Sequence, residues 1–295
     1  MEVLKFTNIS KSYGSNSLKN LNLSIDEGEI LGIVGPNKSF KSTLLRMTMD
    51  FVRPSSGNIT VFDMDSRKKS KEIKEVTSFV PQEVWFHDDM RPIAIFKNTL
   101  KVHKFKNREE LYELIDYFEI DMKGKIGDMT QNNRKKIAVV NALISKPSLL
   151  LLDEPSSIID PVFKTRLYDL VAERNKEGMT AVITTSNMRE AQSICNRIAY
   201  INEGEIIEIE DQSTKLSNDK ILRFYDQDVD TSVFDNIGAK LVRRDGETVY
   251  YYNQDLNVLA KAIYDTNLID YSVEDSTLDD KLTVFQREAV IIEHI

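Results

Sequence analysis

Four consecutive leucines, Leu149–Leu152, run directly into two carboxylates, Asp153 and Glu154. An apolar run with no polar alternation is what a strand buried on both faces gives, and such strands lie in parallel sheets covered by helices. Glu29–Val34 (EILGIV) has the same character. Stretches of helical spacing (131–144, 162–177, 188–195) alternate with strand-like ones (180–185, 197–202), which predicts an α/β chain. With 295 residues, 41% of them hydrophobic, the chain can bury a sizeable core. Against 39 basic residues stand 47 acidic ones, a formal net charge of −8. That balance argues against nucleic acid as a partner, since phosphate contacts need a basic surface. Cys195 is the one cysteine, so no intrachain disulfide can form and a cytoplasmic setting is expected. No apolar stretch approaches the length of a membrane span, and the first residues show no secretory h-region. Any membrane task therefore calls for other subunits.

Residues 3–9 and 18–25 read as an antiparallel strand pair, and Ser56-Gly57 turns into another. The stretch from about 83 to 140 is more polar and partly helical. After the polar run DQSTKLSND (211–219) the pattern changes to short alternating strands (219–225, 238–243, 247–252) and two helices (255–264, 276–284). The expected organisation is a domain over 1–214, with a helical subdomain at about 83–140, and a small α+β appendage over 215–295.

Residues 35–43 read GPNKSFKST. A strand followed by G-x-x-x-x-G-K-[ST] and a helix is the pattern of a phosphate-binding loop. Gly35, Asn37, Lys41, Ser42 and Thr43 fit it, but Phe40 stands where the second glycine belongs, after Lys38 and Ser39. That glycine permits positive φ and close approach of backbone N–H groups to phosphate, so a phenyl ring there is expected to crowd the cradle. About 110 residues later, Asp153 suits a magnesium ligand and Glu154 a group that polarises an attacking water. Both motifs fall at the carboxyl ends of predicted strands, where open α/β sheets bind ligands.

With these motifs in order, residues 1–212 resemble the ABC ATPases, particularly those of ABC transporters. KSYG (11–14) resembles the loop whose aromatic, here Tyr13, stacks on adenine. FVPQE (79–83) resembles the Q-loop, with Gln82 as metal and water sensor. KPSLLLLDEPSSIIDP (146–161) resembles the Walker B strand and D-loop. The resemblance implies an ABC-type P-loop fold with an antiparallel β subdomain and a helical subdomain. It implies ATP and Mg²⁺ as cofactors, with Ser42, Gln82 and Asp153 on the metal. It implies a second ATP-binding subunit and transmembrane subunits as partners, and a peripheral place on the cytoplasmic face of the membrane. SVEDSTLDDKLTVF (272–285) resembles the C-terminal segment of drug and peptide export ATPases, which implies export.

The departures from the family pattern are several. Met129-Thr130-Gln131-Asn132-Asn133 aligns with the LSGGQ signature, so Thr130, Gln131 and Asn132 would face a partner's ATP without either glycine. Asn187 replaces the switch histidine, and asparagine carries no positive charge. Ile158 replaces the D-loop glycine. Three readings follow. The chain is a weakly or non-hydrolysing half of an asymmetric exporter pair, a scaffold that no longer binds nucleotide, or an ordinary ATPase with unusual loops. Trp85, Phe86 and Met90 follow the Q-loop, where the family docks a membrane subunit's coupling helix; core packing is the plainer alternative. The basic run RKKSKEIK (67–74) reads as a solvated face or a contact for anionic headgroups. His87, His103 and His294 show no metal-ligand spacing.

Overall fold

The computed structural model describes residues 1–14, 16–104, 108–213, 219–225 and 229–293. The chain divides into two compact units, residues 1–210 and 211–295. The junction expected at 214/215 lies outside the described residues, as does His294.

The first unit runs β1 (Glu2–Tyr13), β2 (Asn16–Asp26), β3 (Ile30–Val34), α1 (Lys41–Thr48), β4 (Ser56–Val61), β5 (Met64–Asp65), α2 (Ser70–Val76), β6 (Thr77–Val80), α3 (Pro92–Val102), α4 (Glu109–Tyr117), α5 (Gln131–Leu143), β7 (Leu149–Asp153), α6 (Pro161–Lys176), β8 (Thr180–Thr185), α7 (Met188–Ile194), β9 (Arg197–Asn202) and β10 (Glu205–Asp211). Its main sheet has the order β10-β9-β3-β8-β7-β6, and a second sheet the order β2-β1-β4-β5. In the main sheet β3 pairs in parallel with β8 and β9, and β7 with β6 and β8. Every residue of β3, β7 and β8 is buried, as the apolar runs of β3 and β7 require. The β1–β2 pair is antiparallel and alternates, with one face in a core that also takes Leu44, Leu45 and Leu151.

The basic run at 67–74 hides an element. Lys69 precedes α2, whose one buried residue is Ile73, so its period was too faint to read. The polar stretch after the Q-loop resolves into α3, α4 and a 3-10 turn at Ile126–Asp128 leading to α5. Pro92 opens α3, the position where a missing N–H costs nothing.

The second unit comprises β11 (Lys220–Tyr225), α8 (Ser232–Asn236), β12 (Lys240–Arg244), β13 (Glu247–Tyr252), α9 (Leu256–Thr266), β14 (Tyr271–Asp275) and α10 (Leu278–Glu293). Its sheet, β12-β13-β11-β14, is antiparallel throughout. Alternate residues feed two cores. Leu222, Phe224, Tyr250 and Tyr252 pack with Phe234 and Leu259, while Ile221, Val249 and Tyr251 pack with Val284. Lys281 and Asp219, both fully buried, form an ion pair 3.3 Å apart. Among the described residues no helix is long and apolar enough to cross a membrane.

Candidate functional site

The loop between β3 and α1 is held from behind. Gly35 lies so close to β9 that a Cβ there would sit 2.2 Å from the Ile201 carbonyl oxygen, so no side chain fits. Its N–H donates to the Thr185 carbonyl, 3.3 Å. Lys38 (φ 68°) and Phe40 (φ 73°, ψ 4°) adopt the left-handed backbone that glycine would take freely. Each carries a strain of about 1–2 kcal/mol. Burial of the phenyl ring offsets the strain. Phe40 is 7% exposed and packs with the core beneath α1.

The Phe40 ring lines the cavity beside the loop. It stacks on Tyr13, centroids 6.1 Å apart and planes 24° from parallel. A base held between two rings needs about 7 Å, two van der Waals contacts of about 3.5 Å each. The gap is too small, so a base could meet only the outward face of Tyr13, which is half exposed. A cavity of about 280 Å³ opens here, lined by Tyr13, Asn16, residues 37–43, Gln82 and Glu154. Ten of the residues singled out from the sequence therefore share one cavity.

Beneath it lies a tight polar cluster. The Ser42 and Thr184 hydroxyls both donate to Asp153 Oδ1, at 2.8 and 2.7 Å. Asp153 Oδ2 is buried and has no hydrogen-bond partner. An unpartnered carboxylate oxygen next to a serine hydroxyl is a hard-oxygen pair that fits Mg²⁺, which typically takes one or two carboxylates and fills the rest with phosphate and water. The first turn of α1 also offers backbone N–H groups for phosphate and contains no acidic residue.

Lys41 points back into its own loop. Its Nζ donates to the carbonyls of Gly35 and Pro36, at 2.7 and 2.9 Å, and lies 3.5 Å from Glu154 Oε1. Glu154 Oε2 in turn accepts from the Ser186 N–H, 3.3 Å. Burial pulls Lys41 below the ordinary lysine range, with Glu154 opposing, and pushes Glu154 up, with Lys41 opposing. Both charges are thus engaged with the protein itself.

The remaining predicted residues stand apart from the cavity. Thr130 caps α5, its Oγ accepting from the Asn133 N–H at 3.3 Å, with exposed Gln131 and half-buried Asn132 following. Asn132 reaches Asp160 Oδ2 at 3.5 Å, and Lys136 pairs with the same oxygen at 2.6 Å. The Lys136 bond and the Phe163 N–H hold the Asp160 carboxyl down to about 2. Asn187 is exposed and caps α7, its side chain accepting from the Glu190 N–H. Trp85 is 81% exposed, which removes it from the core. It edges a groove of about 340 Å³ with Phe79, Val84 and Phe86. Among the described residues no cluster of metal-ligating side chains occurs.

Two contributors were not legible in the sequence. Thr184, in the run ITTSN, looked like a strand residue only. Lys135, 1% exposed on α5, donates to the carbonyls of Pro81, Gln82 and Asp153 at 2.7, 3.1 and 3.2 Å. Burial lowers it to about 8. A lysine among KK pairs looks solvated; only its place on the inner face of α5 betrays it.

Residues 18–157 match the family model described as ABC transporter. The chain is 30% identical over 230 residues to the linearmycin resistance ATP-binding protein LnrL of Bacillus subtilis, covering 75% of this chain and 74% of that one. It is 23% identical over 301 residues to the Nod factor export ATP-binding protein I of Cupriavidus metallidurans, covering 94% and 95%. Relatives named for import match as well. Among solved structures, the dimeric structure of MJ0796, a bacterial ABC transporter cassette, superposes with a TM-score of 0.64 at 24% identity, over 71% of this chain and 98% of that one.

Proposed function

Because the chain belongs to the ABC transporter family as an ATP-binding subunit, we propose that it is the weakly or non-hydrolysing half of an asymmetric nucleotide-binding pair serving an exporter, with membrane-spanning subunits in trans. The observation that carries this reading is a division within one site. On the metal side, Ser42 and Thr184 hold Asp153, which keeps a free oxygen. The terminal-phosphate side is depleted: Glu154 is engaged by Lys41 and Ser186, and the switch position caps a helix. Bound ATP–Mg²⁺ would supply the triphosphate and the charge that draws the two subunits together.

Within this chain, Lys41 would exchange its two loop carbonyls for phosphate oxygens, and Tyr13 would offer its outer face to the base. Releasing Lys41 would also free Glu154, but no cationic side chain stands at Asn187 to support it. Removing one transition-state donor costs about 10²–10³ in rate. Export is supported by the C-terminal segment and by the likeness to a relative named for export along nearly the whole chain. The exposed Trp85 groove supports docking of a membrane subunit's cytoplasmic helix.

Calorimetric titration with ATP–Mg²⁺, alone and with the partner subunit, tests the reading. We expect binding in the micromolar to millimolar range and turnover at least about 100-fold below that of an intact partner. Absence of binding at millimolar nucleotide would sink it and favour the scaffold reading, for which the closed Tyr13–Phe40 stack speaks. Turnover by the chain alone that disappears in Glu154→Gln would instead mark an ordinary ATPase.

A further inference from the structure

A second cavity in the first unit exceeds the nucleotide site in volume. It is a cleft of about 1020 Å³ between α2, the end of α3 and the loop before β7. Lys71 and Lys74 of α2, Lys104 after α3 and Lys146 before β7 line it, with Glu75 as its one acidic wall residue. Lys146 is paired with Glu110. Among the described residues Lys71, Lys74 and Lys104 have no acidic partner within 4 Å. The cleft continues into the Trp85 groove, since His103 and Ser145 line both. Lys74 lies 5.0 Å over the ring of Phe51, which is itself 57% exposed and packs on Phe79 at the groove wall. Thr77, also on the groove, is 4% exposed, and its hydroxyl has no partner.

An aromatic groove running into a cleft lined by four lysines and one glutamate favours one kind of occupant: a peptide segment, apolar along one stretch and acidic along the next. We propose that the cleft receives a carboxylate-rich stretch flanking the membrane subunit's docked helix, so that register is fixed by charge while the groove takes the apolar side. This rests on the transporter reading above. An anionic bilayer is the other source of negative charge, but it offers a broad plane, whereas these lysines line a concavity. The net charge of −8 also works against attraction of the whole chain to such a surface.

The test uses the full chain expressed with its membrane subunits. A photo-crosslinking amino acid is placed at Val102, which is 74% exposed on the cleft, and separately at Trp85 in the groove. Both adducts are expected on one integral membrane protein, with the Val102 adduct within a few residues of at least two carboxylates. The triple variant Lys71→Gln, Lys74→Gln, Lys104→Gln should retain its melting temperature yet bind membranes about tenfold more weakly at low salt, and the difference should shrink at high salt. A Trp85 adduct on a membrane protein, with the Val102 adduct absent or on a stretch lacking acids, overturns the proposal and leaves the transporter reading standing. Loss of both adducts defeats the reading itself. If the chain sediments with protein-free phosphatidylglycerol vesicles and the triple variant does not, the occupant is lipid and the proposal fails.

Discussion

Phe40 shows how a residue can break a motif without breaking the loop that carries it. Its ring adds apolar burial under α1 while its backbone sits where glycine belongs. Phe40→Gly should therefore act with opposite signs on two measurements. Losing a buried phenyl costs about 3–5 kcal/mol, and relief of left-handed strain returns about 1–2 kcal/mol. A net loss of about 2 kcal/mol should lower the melting temperature by about 4–8 °C. Nucleotide affinity should rise, most clearly with Lys38→Gly added, because the inner face of Tyr13 becomes available; unchanged affinity in calorimetry would show that the stack does not gate the base. The sequence made the anomaly visible but not its direction, since where the ring goes depends on Tyr13, 27 positions earlier in the chain.

At the scale of elements, what could be read depended on how many faces of each element are buried. β3 and β7 have both faces covered and announced themselves as apolar runs. The faint α2, and β14 with its mostly exposed pattern, left little periodicity to read. α5 was legible as a helix, but not as the anchor it is. Lys135 ties it to the Q-loop carbonyls and to the end of β7, so three elements share one ammonium group. Its folded value near 8 lies below the unfolded value near 10.5. Between those two limits the unfolded chain binds the extra proton, so stability rises with pH across that window. In urea unfolding, this group should add about 2 kcal/mol to wild-type stability between pH 7 and pH 9.5. Lys135→Met should lack that increment and be less stable at pH 7, since three carbonyls lose their donor. An identical pH response in the two proteins would refute the assignment.

For the whole molecule, each unit has its own core. A fragment of residues 1–210 should fold and bind ATP–Mg²⁺ within about twofold of the full chain; calorimetry and circular dichroism would check this, since a change of one decade corresponds to 1.4 kcal/mol. The motif order across some 200 residues made the fold legible, whereas the contacts that occupy Lys41 and Glu154 could not be read: Lys41 folds back onto its own loop's carbonyls, and Glu154 meets Lys41 and Ser186 only when segments distant in the chain come together. Asn187 also bears on how such a chain changes over time. Asparagine is among the best helix caps, and losing one costs about 0.5–2 kcal/mol. A change to histidine would uncap α7 while Phe40, Gln131 and Asn132 still stood in place, so that step alone would lose stability. Under the proposed reading the cap acts as a ratchet: a single step toward a cationic switch residue loses stability, and only several changes made together could offset that loss.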